Sequence, residues 1–216
     1  MTKLLKNLLI SLFFLAFILN PFKSNALENT YCRDISCNKA ACDLRMSERK
    51  LWIDHVTWTR SFIVSDLASL EDKSDVLERL LKNQEDIGNS IKPYYGEEAG
   101  NKLTTLLKEH IELAGQVTDA AKNNNKNDLE KYNKLWYENA DKIARFLSSA
   151  NPNYSEKTLK NMLYKHLEFI TDQVVARLNK NWKADINTCD KGEDHMIHFA
   201  DILVDGIIKQ FPDKFK

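Results

Sequence analysis

Apolar residues recur every three to four positions through most of this chain, the period of helices that bury one face. The stretch 51–63, Leu-Trp-Ile-Asp-His-Val-Thr-Trp-Thr-Arg-Ser-Phe-Ile, shows an outline that returns downstream. An apolar pair, two further residues and His55 reappear as Leu106-Leu107-Lys108-Glu109-His110 and as Met162-Leu163-Tyr164-Lys165-His166, and with asparagine as Leu135-Trp136-Tyr137-Glu138-Asn139. Punctuation between the periodic stretches bounds six helices. Ser47 is placed to cap the first, which runs to about Leu70, and the second starts near Asp75 and ends at Pro93 and Gly96. The third runs from about Glu97 to the asparagine-rich loop at 123–127, and Asp128 caps the fourth, which Pro152 ends. Ser155 caps the fifth, reaching about Asn181, and Asp190 with Glu193 has the form of a capping box for the sixth, which Pro212 closes.

The stripes Leu51, His55, Trp58, Thr59, Phe62; Leu103, Leu107, His110, Ala114, Val117; and Leu159, Leu163, His166, Ile170, Val174 each hold one histidine on an apolar face. His55, His110 and His166 are spaced by 55 and 56 residues, so a helical hairpin is the repeating unit. With connections this short the expectation is an all-α, antiparallel, up-and-down bundle of three hairpins. The three histidines then stand at similar heights, with Asp86 and Asn139 at matching distances on the intervening helices. A polar layer across the bundle follows from that spacing.

Two readings of the layer stand side by side. Imidazoles and a carboxylate converging inside a bundle suit a divalent transition metal, held by His55, Asp86, His110 and His166 with Arg60 and Asn139 supporting them. Alternatively each histidine is satisfied by a hydrogen bond and the layer only fixes helix register. A second, weaker candidate for a metal is His195 with His198, three apart on one helix beside Asp194 and Asp201. The Glu-x-x-His pairs of di-iron bundles are absent, as are a Gly-rich phosphate loop, a Gly-x-Ser-x-Gly elbow and His-Glu-x-x-His. No catalytic residues emerge.

Composition agrees with helices: 43% of residues are hydrophobic and 29% charged, with only 6 Gly and 4 Pro. The 31 basic and 31 acidic residues balance, but Lys3, Lys6 and Lys23 lie in the first 26 residues, which hold no acid, and there Lys3 and Lys6 precede an apolar run from Leu8 to about Phe22 followed by Ser24-Asn25-Ala26, the form of a secretory signal. Cleavage near Ala26 would leave a mildly acidic body, which offers no footprint for nucleic acid and holds no segment able to span a bilayer. The expected organisation is a signal over 1–26, a cysteine-bearing arm over 27–46 and the bundle over 47–216, secreted or in the cell envelope, with a small ligand or an envelope protein as partner. Export favours disulfides among Cys32, Cys37, Cys42 and Cys189, with three possible connectivities, Cys189 pinning an irregular arm to the last helix. Four thiolates on a metal are the alternative, though the spacing lacks Cys-x2-Cys pairs.

The runs Leu51-Trp52-x-x-His55-Val56-x-Trp58-Thr59-Arg60, Asp86-Ile87-Gly88-Asn89 with Lys92-Pro93-Tyr94-Tyr95-Gly96, Leu107-x-x-His110-Ile111, Trp136-Tyr137-x-Asn139-Ala140-Asp141 and Gln210-Phe211-Pro212 resemble those of an uncharacterised family of small all-helical bacterial proteins. The resemblance spans about residues 51–212. It implies the helical fold and these motif positions. Labels such as glycosyltransferase or acetylglutamate kinase attach to some members, but an all-helical chain lacks the α/β nucleotide-binding elements such activities use.

Overall fold

The computed structural model describes residues 39–216, which form six helices and a terminal 3-10 turn: α1 Lys39–Leu67, α2 Lys73–Ser90, α3 Lys92–Lys122, α4 Lys126–Ala150, α5 Glu156–Leu178, α6 Trp182–Gln210 and Pro212–Phe215. The proposed signal, most of the arm, Cys32 and Cys37 lie outside the described residues. The fold is an all-α helical bundle, as the hydrophobic period predicts. Each helix packs antiparallel on the next, and α6 returns to pack on α1, so the six close into a ring. Besides these neighbours, α1, α3 and α5 touch one another. The odd-numbered helices therefore share a central axis and the even-numbered ones fill the clefts outside them.

This arrangement follows from the stripes. On α3 and α5 all five residues of each expected stripe are buried. On α1 the buried face is turned slightly, to Trp52, His55, Val56, Thr59, Phe62 and Ile63, leaving Trp58 at the edge with the Arg79 guanidinium 5.0 Å from its ring centre. The helices cross closely where small residues permit it. A Cβ on Gly88 would lie 1.9 Å from Thr104 Oγ1 and 2.7 Å from the Gly100 carbonyl, so glycine sets the spacing of α2 and α3. Gly96, at φ +84°, breaks the helical path inside α3, and regular helix resumes at Glu97 as the sequence suggests.

Several boundaries differ from the sequence expectation. The first helix begins at Lys39, eight residues before Ser47, so residues 39–46 of the expected arm, Cys42 included, are helical. Asn125, not Asp128, caps α4, its side chain accepting from the Asp128 backbone N–H. Asn181, not Asp190, caps α6 by accepting from Ala184 N–H. The expected capping box at Asp190 and Glu193 lies within α6, where Gly192 packs against Phe169 and Gln173 of α5. Ser155 caps α5 as expected.

Ion pairs fasten the seam that closes the ring. Arg49 grips Asp201 through two nitrogens at 2.8 and 2.7 Å, Arg45 reaches Asp201 at 3.0 Å and Asp205 at 2.5 Å, and Arg60 meets Asp185 at 2.7 Å. These pairs fix the register of α1 on α6 and place Cys189 level with residues near 57. Cys42 is then about 22 Å away along the helix, far beyond the roughly 7 Å that a disulfide spans. Among the described residues Cys189 is a half-buried thiol that is not bridged to Cys42, and its other expected partners, Cys32 and Cys37, lie outside them.

Candidate functional site

Three imidazoles meet where the odd helices share their axis. His55 and His166 have ring centres 5.3 Å apart, and His110 stacks on His166 at 6.2 Å. Each is at most 3% exposed. Their common height follows from the 55-residue period, since α1, α3 and α5 run in the same direction.

His55 and His110 each have a partner on the following helix, and His166 meets His55. Trp136 Nε1–H donates to His110 Nε2 at 3.2 Å, which puts the His110 proton on Nδ1, and that N–H donates to Asn139 Oδ1 at 2.8 Å. The Gln84 amide, 3.3 Å from His55 Nδ1, acts as donor, so His55 Nε2–H points at His166 Nε2, 3.4 Å away. Burial drives all three pKa values down: His55 to about 3, assisted by the neighbouring His110, and His110 to about 4 despite the hydrogen bond to Asn139. His166 falls well below its ordinary value, through burial and then the other imidazoles. At neutral pH the rings are uncharged, consistent with the tautomers that their partners dictate.

The network repeats with the hairpins. Asn83 Nδ2 donates to the Leu51 carbonyl at 3.0 Å, Asn139 Nδ2 donates to that of Leu106 at 3.1 Å, and His195 Nε2 is 2.8 Å from that of Met162. Each carbonyl belongs to the residue four before the hairpin's histidine. The side chains that reach them are followed at the same distance by Ile87-Gly88, Ile143-Ala144 and Phe199-Ala200, a large apolar residue and a small one. Three hairpins thus present one design: a histidine on the inner helix, and on the outer helix a polar side chain clasping the inner backbone one turn earlier.

Asp86 is not part of this layer. It lies on the outer side of α2 and pairs with Lys82 at 2.7 Å, because the buried face of α2 is Leu80, Asn83, Gln84, Ile87 and Gly88, from which position 86 points away. Gln84 and Asn83 occupy the place expected of it. Their spacing from Leu80 and Ile87 is the signal that identifies them. Asn139 is in the layer, fully buried. Arg60 is not: it binds Asp185 together with Arg177, at 2.7 and 2.8 Å. Because α6 begins earlier than expected, His195 stands at mid-helix and joins the α5 backbone, whereas His198 faces solvent on the same helix. The two do not converge.

Among the described residues, no group of three His, Cys, Asp or Glu side chains is placed to hold a metal ion. No helix there is long and apolar enough to cross a membrane. Comparison of the chain with protein-family models, with curated proteins and with solved structures finds no match.

Proposed function

We propose that this protein is an exported structural component of the cell envelope, a helical scaffold whose buried histidine network fixes the register of its three hairpins and holds no ligand. One observation carries the reading: both ring nitrogens of His110 are engaged inside the protein, by Trp136 and by Asn139. A metal could displace neither without leaving a buried indole N–H or amide oxygen unpaired. The repetition of the same clasp in all three hairpins supports a structural purpose, since a ligand site needs to be built only once. The lysine-flanked apolar run at the N-terminus supports export. Val175, Leu178, Trp182 and Ile186 place exposed apolar surface at the α5–α6 corner, which suits contact with a partner protein.

A metal-binding reading draws on one distance. His55 Nε2 and His166 Nε2 are 3.4 Å apart, close to the roughly 3.3 Å between two nitrogens on a tetrahedral zinc ion. Elemental analysis of untagged protein, beside a His110→Ala variant, separates the two. The scaffold predicts no stoichiometric metal and a loss of about 3 kcal/mol of stability in the variant, from the cavity and the two orphaned partners. Stoichiometric metal, absent from a still-folded variant, overturns the scaffold reading.

A further inference from the structure

The hairpin repeat makes one residue conspicuous. Seven positions before the histidines of α3 and α5 stand Leu103 and Leu159, both core residues. The matching position on α1 is Glu48, which is just as deeply buried at 2% exposed. A carboxyl group therefore occupies a place that the fold fills twice with leucine, and its Oε1 has no hydrogen-bond partner among the described residues. Removing a carboxylate from water without a counter-charge is costly, and the register network, two helical turns away, makes no use of this one.

Glu48 stands between two spaces. On its inner side is a cavity of about 20 Å³, room for one water- or ammonium-sized group, walled by Ile87, Leu103, Leu147 and Ile207 and by the rings of Tyr95 and Tyr154. On its outer side is a surface groove of about 330 Å³, bounded by Ala40, Asp43, Leu44, Ser47, Pro93 and Tyr94. On the inner wall the Tyr154 hydroxyl donates to the Leu203 carbonyl at 2.5 Å. An unpaired carboxylate oxygen behind a groove that carries Leu44, Pro93 and the Tyr94 ring forms the chemistry that receives a cation with a hydrophobic body.

We propose that Glu48 is the recognition residue of a binding site for a small organic ammonium ion, whose charged nitrogen enters the inner cavity beside Oε1 while its apolar body lies in the groove. The charged and titratable groups facing the site are few. On α1, Asp43 is paired with Lys39; α3 contributes Tyr94 and Tyr95; Tyr154 precedes α5; and Lys214 of the terminal turn lies over Tyr94, 5.4 Å from its ring centre. α2 contributes Ser90, and α6 only Leu203 and Ile207. Burial raises the Glu48 pKa to about 7, with the Ser90 hydroxyl and Trp52 indole restraining the rise. Bound ammonium supplies the missing counter-charge, so binding is accompanied by proton release near neutrality.

Calorimetric titration of the full chain with n-butylammonium, and with n-butanol and butyrate as size-matched controls, tests the proposal. Saturable 1:1 binding of the amine alone is expected, roughly thirtyfold weaker at pH 5.5 than at pH 8 as the carboxylate is titrated. Glu48→Gln, which keeps the shape and removes the charge, should abolish binding while remaining folded by circular dichroism. Ser47→Phe, at an exposed position on the groove wall, should block access with Glu48 intact. Butanol binding as well as butylammonium, binding that survives Glu48→Gln, or no binding of the amine at pH 8 overturns the proposal and leaves the cavity to a single water.

Discussion

At the scale of single residues, the protein hides titratable groups of opposite sign. The buried imidazoles have folded pKa values below the unfolded value of 6.5, so the unfolded chain binds protons first as pH falls. Their stabilisation is complete above pH 6.5 and declines as pH falls toward 4 and 3, by about 2 kcal/mol for each of His55 and His110 at pH 5. Glu48 works in the other direction. Its folded pKa of about 7 lies above the ordinary 4.5, so its contribution is full below pH 4.5 and is lost as pH rises to about 7. Between pH 7 and pH 5 the terms partly cancel. Urea unfolding should therefore show Glu48→Gln losing about 2 to 3 kcal/mol more than the parent over that interval, and an equal loss in both would remove Glu48 from the account. The histidines were legible in the sequence because each sits on an apolar stripe. Glu48 was not, because one carboxylate in a helix reads as surface until the repeat places it opposite two leucines.

Among elements, the caps give the clearest discrimination. The motif Asp190-x-x-Glu193 has the form of a helix start, yet the structure runs α6 through it, with the Asn181 side chain capping at the Ala184 N–H. Asn181→Ala should cost about 1 kcal/mol in thermal or urea unfolding, whereas Asp190→Ala, at an exposed position inside a helix, should change stability by less than about 0.5 kcal/mol. The reverse ranking would restore the sequence boundary. Starting α6 at Trp182 rather than near Asp190 puts His195 at mid-helix, where it reaches the Met162 carbonyl of α5. Asp86 failed for a related reason: its distance from the turn was right, but its angle about α2 was not. Height along a helix follows from counting residues, whereas the buried angle depends on which neighbours the helix meets.

On the scale of the whole molecule, stability depends on closing the ring between α6 and α1. Asp185, 1% exposed, accepts from Arg60 on α1 and from Arg177 on α5, and so ties three helices at one point. Asp185→Ala should destabilise by about 3 kcal/mol, because two guanidinium groups lose a buried acceptor. Asp201→Ala, at the better-solvated pairs with Arg45 and Arg49, should cost about 1 kcal/mol or less. Equal effects in denaturant titrations would mean that the depth of the junction does not matter.

The sequence by itself determined the helical class, the six-helix count, the hairpin as repeating unit and the common height of the three histidines, because all of these follow from periodicity along the chain. Tertiary structure decided that the odd helices share one axis, that Gln84 rather than Asp86 faces His55, that Cys189 stays far from Cys42, and that Glu48 is buried where leucine stands in the other hairpins. Those outcomes rest on which faces meet. Local pattern gives each helix its apolar arc, but the packing of all six selects how that arc is turned and which polar groups are enclosed with it.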